Sequence, residues 1–394
     1  MIPGVTINVV NGNIGGAANT SDGVVGHIMT GAGTGMIGLL QPCVFISLAD
    51  AIAQGLTAAA EPEANQFVTD FYNDAPTGSP LYLILSANTA SIQSLCDKTN
   101  ASGAKKLIDF AVGNANGQIR VLGVSRTPAV GYTPAVDEFI DSDARLAMPN
   151  AKALVAQYFG QHTPFRVIIA ARVADAASPT VFAPNTAGNN AVALAIGNHT
   201  GGPGVAMGTI LAKVAATAPQ VNIGRVRDGA LSLTAWYIGA LPITPPAGGA
   251  AWYQTINTLI NAGYITVTTY PGKAGYFISD DPMSTDNTDD YQNLACSRVI
   301  DKASILAYQA FLNYVNSEVD LVTGGTLDPA QAVDIQSQIV NALAQGLNGN
   351  ISGSPKCTVD TTQVLTAGTP FKAKVRINPK GYLKQISVDL GFTF

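Results

Sequence analysis

Apolar residues follow two different periods along the chain, and the two periods separate strands from helices. Leu81–Ser86 and Phe165–Ala171 are apolar almost throughout and have the length of buried strands. Ala101–Ala111 and Ala151–Phe159 instead carry apolar residues at helical spacing. Strands that are apolar on both faces, separated by helices, indicate a layered α/β region, which we place over residues 23–225.

The next part of the chain, residues 226–370, predicts short strands mixed with longer helices. A β-rich run at Leu231–Ile238 opens it. A long helix over Val299–Val315 follows, with its apolar residues in adjacent stripes. Another helix is expected to begin after Asp328, which suits the N-cap, with Pro329 in the first turn. The fold class is therefore α/β in its layers and mixed α+β as a whole.

The N-terminal residues predict a strand that has no partner nearby in sequence. Val5, Ile7 and Val9 alternate with polar residues, which is the period of a strand with one apolar face. A stretch rich in glycine and asparagine follows, up to Asp22. We expect residues 1–22 to form an extended arm that pairs with a strand outside this segment.

The last residues, 371–394, predict a hairpin that ends in a second arm. A turn over residues 378–381, with glycine at its last position, separates two alternating runs. The return strand places five apolar residues on one face: Ile386, Val388, Leu390, Phe392 and Phe394. The first strand places three cations on one face: Lys372, Lys374 and Arg376. This basic strip either protects a sheet edge from aggregation or faces an acidic protein partner.

Composition favours a protein whose surface is covered by partners. Of the 394 residues 47% are hydrophobic and only 12% are charged, about half of the usual ~25%. A formal net charge of −5 argues against binding of a nucleic-acid backbone. The apolar runs are far shorter than the ~20 residues of a membrane span, so no membrane insertion is expected. The start of the sequence has no basic, apolar leader, so we expect synthesis in a cytoplasm.

The residues that usually carry chemistry are few and scattered. The four cysteines are far apart and are expected to be ordinary buried or half-buried thiols. The three histidines, His27, His162 and His199, belong to no metal-binding or catalytic motif. The glycine-rich segment Gly201–Gly208 lacks the lysine of a phosphate loop and is interpreted as the start of a helix. We therefore predict no catalytic, cofactor-binding or metal-binding residue and no enzymatic activity.

One dense group of acidic residues precedes the predicted long helix. It comprises Asp280, Asp281, Asp286, Asp289 and Asp290. The spacing lacks the alternation and the central glycine of a calcium loop. We expect Asp286 or Thr288 to cap the helix and Asp289 and Asp290 to lie in its first turn, with metal or partner binding as the alternative.

Several segments of the sequence resemble the tail sheath subunits of contractile phage tails and related injection machines. The resemblance is carried by Ile119–Ser125, Asn222–Val226, Asn261–Val267, Gly275–Pro282, Asp290–Tyr291 and Arg298–Lys302. It implies a multidomain subunit with an outer inserted α/β domain within residues 23–225. It also implies an inner domain over residues 226–370 that faces a tube, and linking arms at 1–22 and 371–394.

The resemblance further implies a function and a set of partners. Subunits of this kind form hexameric rings that stack into a helical sleeve around an inner tube, and contraction drives the tube through a target envelope. The implied partners are further copies of the chain, the inner tail tube protein, and the baseplate and tail terminator proteins. The implied location is a virion tail or assembled particle, with synthesis in the bacterial cytoplasm. The alternatives are a non-contractile self-assembling surface or tail protein and, as a weaker one, an α/β hydrolase-like enzyme.

Overall fold

The structure, a computed structural model, describes residues 22–114, 118–243, 249–365, 370–388 and 390. These residues divide into two compact units. The sheet unit is formed by the described parts of Ser21–Lys302 and Pro379–Phe394, and the small unit by the described part of Ala303–Asn378. The boundary predicted between residues 225 and 226 therefore falls inside the sheet unit rather than between the units.

The elements are numbered in chain order. The strands are β1 Val25–Gly31, β2 Cys43–Phe45, β3 Leu81–Ala87, β4 Val121–Val124, β5 Val136–Asp137, β6 Ile140–Asp141, β7 Arg166–Ala170, β8 Val192–Ala195, β9 Tyr237–Ile238, β10 Leu241–Pro242, β11 Tyr264–Ile265, β12 Val267–Thr268, β13 Phe277–Ile278, β14 Leu321–Val322, β15 Thr326–Leu327, β16 Lys356–Val359 and β17 Ala373–Arg376. The α-helices are α1 Leu48–Ala53, α2 Pro62–Asp74, α3 Ile92–Leu95, α4 Ala104–Val112, α5 Ser142–Gly160, α6 Met207–Ala216, α7 Gly249–Ala262, α8 Leu294–Leu312 and α9 Pro329–Gly346.

The sheet unit is built on a seven-stranded sheet in the order β11-β8-β7-β4-β1-β3-β2. Every neighbouring pair is parallel except β2 with β3. Every residue of β4, β7 and β8 is buried. Because successive side chains point to opposite faces, both faces of the sheet must be covered. This confirms the predicted α/β layers, and β11 extends them beyond residue 226.

Two pairs of helices cover the central strands. Helices α2 and α6 pack against each other and against β1, and α6 also contacts β4. Helices α4 and α5 pack against β1, β3, β7 and β8, and the Tyr158 hydroxyl joins them through the Asp109 carboxylate. The approach of α2 to α6 requires glycine at position 208, since an added Cβ would lie 2.3 Å from the carbonyl oxygen of Phe67.

The small unit contains the end of α8, the hairpin β14–β15, helix α9 and the antiparallel pair β16–β17. Helix α9 begins as predicted, with the Asp328 side chain accepting a hydrogen bond of 2.7 Å from the amide of Ala330. The predicted C-terminal hairpin is wrong within the single chain. Strand β17 pairs with β16, and residues 377–388, all described, form no strand. Alternation identified the strand but not its partner, which lies upstream.

The β-rich run predicted at Leu231–Ile238 is mostly irregular. Only Tyr237 and Ile238 form a strand, while Leu231 makes an isolated bridge to Tyr276. Trp236 and Ile238 are buried nonetheless. The apolar content of this segment therefore indicated burial correctly. It did not indicate that most of the segment pairs as a strand.

Candidate assembly surfaces

The C-terminal arm carries apolar side chains that the single chain leaves in water. The exposed fractions are 75% for Ile386, 75% for Val388 and 96% for Leu390. All three were predicted to share one face of an arm strand; Phe392 and Phe394 lie outside the described residues. Exposed apolar residues in series are a feature of surfaces that a partner covers.

The root of this arm is fixed to the sheet unit by polar contacts. The Tyr382 hydroxyl donates to the carbonyl oxygen of Gln220 at 2.9 Å. The Lys384 ammonium group lies 2.6 Å from an Asp280 carboxylate oxygen and 2.7 Å from the amide oxygen of Asn293. Leu383, beside this anchor, is already exposed, and Lys384 makes the last side-chain hydrogen bonds to the sheet unit that the described part of the arm shows.

A buried acid supports the anchor. The Asn222 amide nitrogen lies 2.6 Å from Asp280 and 2.7 Å from Asp281, and so holds the two carboxyl groups side by side. Burial raises the pKa of Asp281 well above its usual range, and the charge of Asp280 adds to the effect. Asp280, the less buried of the two carboxyl groups, forms the ion pair with Lys384.

The acidic cluster starts the long helix through a different residue from the one predicted. Helix α8 begins at Leu294, and the amide of Ala295 donates to Asp281 at 3.0 Å. Asp286 instead closes a local turn by accepting from the amide of Thr288, and Asp289 accepts from the amide of Tyr291. The first turn therefore lies further along the chain than expected, because residues 286–293 form an irregular loop.

The basic strip lies on the described surface of the small unit. Lys372, Lys374 and Arg376 are exposed, and Lys356 of β16 lies directly opposite Arg376. Residues directly opposite in an antiparallel pair share a face, so Lys356 extends the strip to four cations. Like charges in this arrangement destabilise a sheet, and an acidic partner would relieve the repulsion.

The N-terminal arm residues, Val5, Ile7 and Val9, lie outside the described residues. Sequence reasoning missed Tyr382 and Lys384, because a single lysine after a turn has no signal that identifies its partner. It also missed Lys356, although the alternation of Lys356–Val359 is a usable strand signal.

The side chains of His27 and His199 and of the four cysteines are engaged in packing or hydrogen bonding within the fold. His27 is fully buried, stacks on Phe67, and burial lowers its pKa to about 3. His199 lies 2.7 Å from the Asp70 carboxylate, which raises the pKa of the imidazole. The four cysteines are free thiols, two of them buried, as predicted. Among the described residues, no group of metal-ligating side chains is found, and no helix is long and apolar enough to cross a membrane.

Comparison with known proteins shows that most of the sequence matches one family. Residues 2–282 match the family model described as DUF2586, N-terminal domain. No curated protein matches the chain by sequence.

Solved structures share the fold over nearly the whole chain. The baseplate of the anti-feeding prophage in its contracted state contains a chain with a TM-score of 0.64 and 12% identity, with 99% of this chain and 98% of that chain covered. The contracted helical sheath of the same particle gives 0.61 and 14% identity over 100% of this chain and 99% of that chain. The contracted sheath complex of the extracellular contractile injection system PVC gives 0.60 and 11% over 99% and 97%. The predicted resemblance to sheath subunits is thus confirmed at the level of the fold.

Proposed function

The chain belongs to the DUF2586 family, and we propose that it is a structural subunit of a contractile tail sheath. The observation that carries the proposal is the extent of the likeness. The fold matches chains of two contracted sheaths from end to end, on both sides of the comparison. A shared core alone would leave much of one chain unmatched.

In the proposed assembly the subunits form hexameric rings that stack into a helical sleeve around an inner tube. The sleeve contracts and drives the tube through a target envelope. The proposed partners are other copies of the chain, the inner tail tube protein, and the baseplate and tail terminator proteins. The proposed location is a virion tail or related particle assembled in the bacterial cytoplasm. The role is structural and needs no catalysis.

The exposed arm residues support self-assembly. Ile386, Val388 and Leu390 are exposed and unpaired among the described residues, and a neighbouring chain is proposed to supply their pairing edge. Main-chain hydrogen bonds would then connect subunits through flexible segments while their bodies rotate. The N-terminal arm, with Val5, Ile7 and Val9, is proposed to contribute in the same way. The basic strip is proposed to face an acidic protein surface.

The proposal is tested by the purified full-length chain itself. Size-exclusion chromatography with light scattering, at low and high salt, measures association, and negative-stain electron microscopy shows its form. We expect concentration-dependent polymers, with rings or sleeves of constant diameter. A well-folded monomer at every concentration and salt would contradict the proposal. Flat or two-dimensional arrays would favour the alternative of a non-contractile surface or tail protein.

A further inference from the structure

A polar cavity lies at the carboxyl edge of the parallel sheet, and its lining includes no residue of the C-terminal arm. Its volume is about 540 Å³, within the range of small-molecule sites. The chain runs from β1 to β3 on one side and then to β4 on the other, so the strand order reverses at β1. Open α/β sheets bind ligands in the crevice outside such a reversal.

The carboxylates around the cavity already have partners. Asp143 accepts from the Arg126 guanidinium at 2.9 Å and from the amides of Ile92 and Gln93. Asp70 is held by His199 and by the Gln66 amide, each at 2.7 Å. The negative charges of Asp143 and Asp70 are therefore largely compensated by protein donors.

The remaining acids, Asp141 and Glu63, act on Arg172 through their charges but form no hydrogen bond with its side chain in the described structure. The Asp141 carboxylate accepts from the Tyr132 hydroxyl at 2.7 Å and from the amide of Asp143. Glu63, in the first turn of α2, is exposed at the rim, where water and the helix N-terminus stabilise its charge.

Arg172 is different, because its guanidinium lines the cavity and lacks a hydrogen-bond partner among the described residues. Its Nε is buried and unpaired, as is the Nε of Arg126. Burial lowers the pKa of Arg172, and the nearby charges of Asp141 and Glu63 oppose that shift. An unpaired guanidinium presents donors in a planar fork that matches a carboxylate or a phosphate.

The glycine-rich loop on the other side of the cavity is compatible with an anion. The Asn198 amide nitrogen donates to the carbonyl oxygens of Gly202 and Gly204, at 2.7 and 3.0 Å. The carbonyl oxygen of Pro203 accepts from the amide of Val173. The loop oxygens are thus engaged by the protein, and their lone pairs are not left to repel a negative ligand.

We propose that this cavity binds a small anion bearing a carboxylate or phosphate group, with Arg172 as its principal ligand and Arg126 beside it. The site is independent of the proposed sheath role.

The test is isothermal titration calorimetry of the full-length chain with inorganic phosphate and, separately, with succinate. The buffer contains neither phosphate nor carboxylate compounds. We expect saturable binding of at least one probe. Arg172→Gln should weaken it at least about tenfold, the effect of losing a charged hydrogen bond. Arg227→Gln removes an exposed arginine outside the cavity and should leave the affinity unchanged. Binding of phosphate alone, succinate alone or both identifies the accepted group.

A second variant keeps the test decisive if Arg172→Gln disturbs folding. Gly204 lines the cavity, and an added Cβ there meets no atom within 4 Å. Gly204→Leu should therefore fold and block the site without touching Arg172. No saturable binding by the wild-type chain would overturn the proposal. It would also be overturned by wild-type affinity in a folded Arg172→Gln or Gly204→Leu variant.

Discussion

The central sheet and the C-terminal arm contain the same kinds of residue but differ completely in burial. Val121, Val124 and Ile168 are fully buried, whereas Val388 and Leu390 are 75% and 96% exposed. The sheet strands find parallel partners and two helical layers within the chain. The arm has an attachment at Lys384 and no strand partner in the described residues. The central strands thus bury their apolar side chains within the chain, whereas the described arm residues have strand periodicity but no strand to pair with.

Removing the arms should have the largest effect on assembly and little effect on the sheet. Deleting residues 1–11, or ending the chain after Asp389, is expected to leave a folded body that forms no long sleeves. The reason is that strand addition between copies loses its donor strands. Circular dichroism measures folding, and electron microscopy measures sleeve length.

The control for the N-terminal deletion removes only Met1–Pro3 and keeps Val5, Ile7 and Val9. It should assemble like the full chain. Normal sleeves from both truncated chains would exclude the arm model, even with the sheath fold intact.

A substitution in the sheet unit should do the reverse and lower stability first. Gly208→Leu forces a side chain against the backbone of α2, where an added Cβ would lie 2.3 Å from an oxygen and 2.8 Å from Asp70 Cβ. We expect a loss of about 3 kcal/mol or more in the free energy of unfolding. Gly160→Leu is the matched control, because an added Cβ there meets no atom within 4 Å. Equal urea midpoints for the two variants would refute the close-packing argument.

Breaking the Lys384 anchor, which connects the arm to the sheet unit, should affect assembly less than removing the arms does. Lys384→Met removes the contacts to Asp280 and Asn293 and should free the root of the arm without unfolding the sheet. Hydrogen exchange is expected to be faster over residues 379–388, and sleeves should be fewer or irregular. Lys380→Met, at a lysine that forms no ion pair among the described residues, should change neither. Unchanged exchange in Lys384→Met would show that the anchor does not restrain the arm.

The pH dependence of the sheet unit should show a smaller effect. The hydrogen bond to Asp70 raises the pKa of His199. The stabilisation is therefore complete below the unfolded pKa of about 6.5 and is lost as the pH rises through the higher folded value. His199→Gln should cost about 1 kcal/mol at low pH and less at alkaline pH, as measured by urea unfolding. A cost that grows with pH would reverse the assigned sign.

The smallest effect is expected from two side chains that take part neither in the packing of α2 on α6 nor in the anchor of the C-terminal arm. His162→Asn replaces an exposed histidine at φ +59°, a conformation that asparagine tolerates. Cys43→Ser changes a half-buried free thiol. Neither variant should alter sleeve formation or shift stability by more than about 0.5 kcal/mol. Loss of assembly in a folded variant would reveal a site that neither the sequence nor the structure indicates.

The sequence-based predictions succeeded where the signal lies within a few neighbouring residues and failed where it depends on distant ones. The strand β3 and helix α9 were found because apolar runs and an Asp-Pro helix start act within a few residues. The start of α8 was misplaced because its acidic contact comes from Asp281, across an irregular loop. The arm anchor was missed because Lys384 and Asp280 are 104 positions apart. Pairing over such distances leaves no local pattern.

The sequence by itself determined the main buried strands and helices of the sheet, such as β3, and the start of α9. Side-chain periodicity and charge act on neighbouring residues, so one chain is enough to reveal them. Only the tertiary structure decided that β17 pairs with β16 rather than with the last residues, and that β11 joins the main sheet. It also brought Arg172 to a polar cavity, where its Nε is buried and has no hydrogen-bond partner among the described residues. These outcomes depend on which segments, far apart in sequence, come into contact. Each strand can pair with several others, so its partner is decided only in the folded chain.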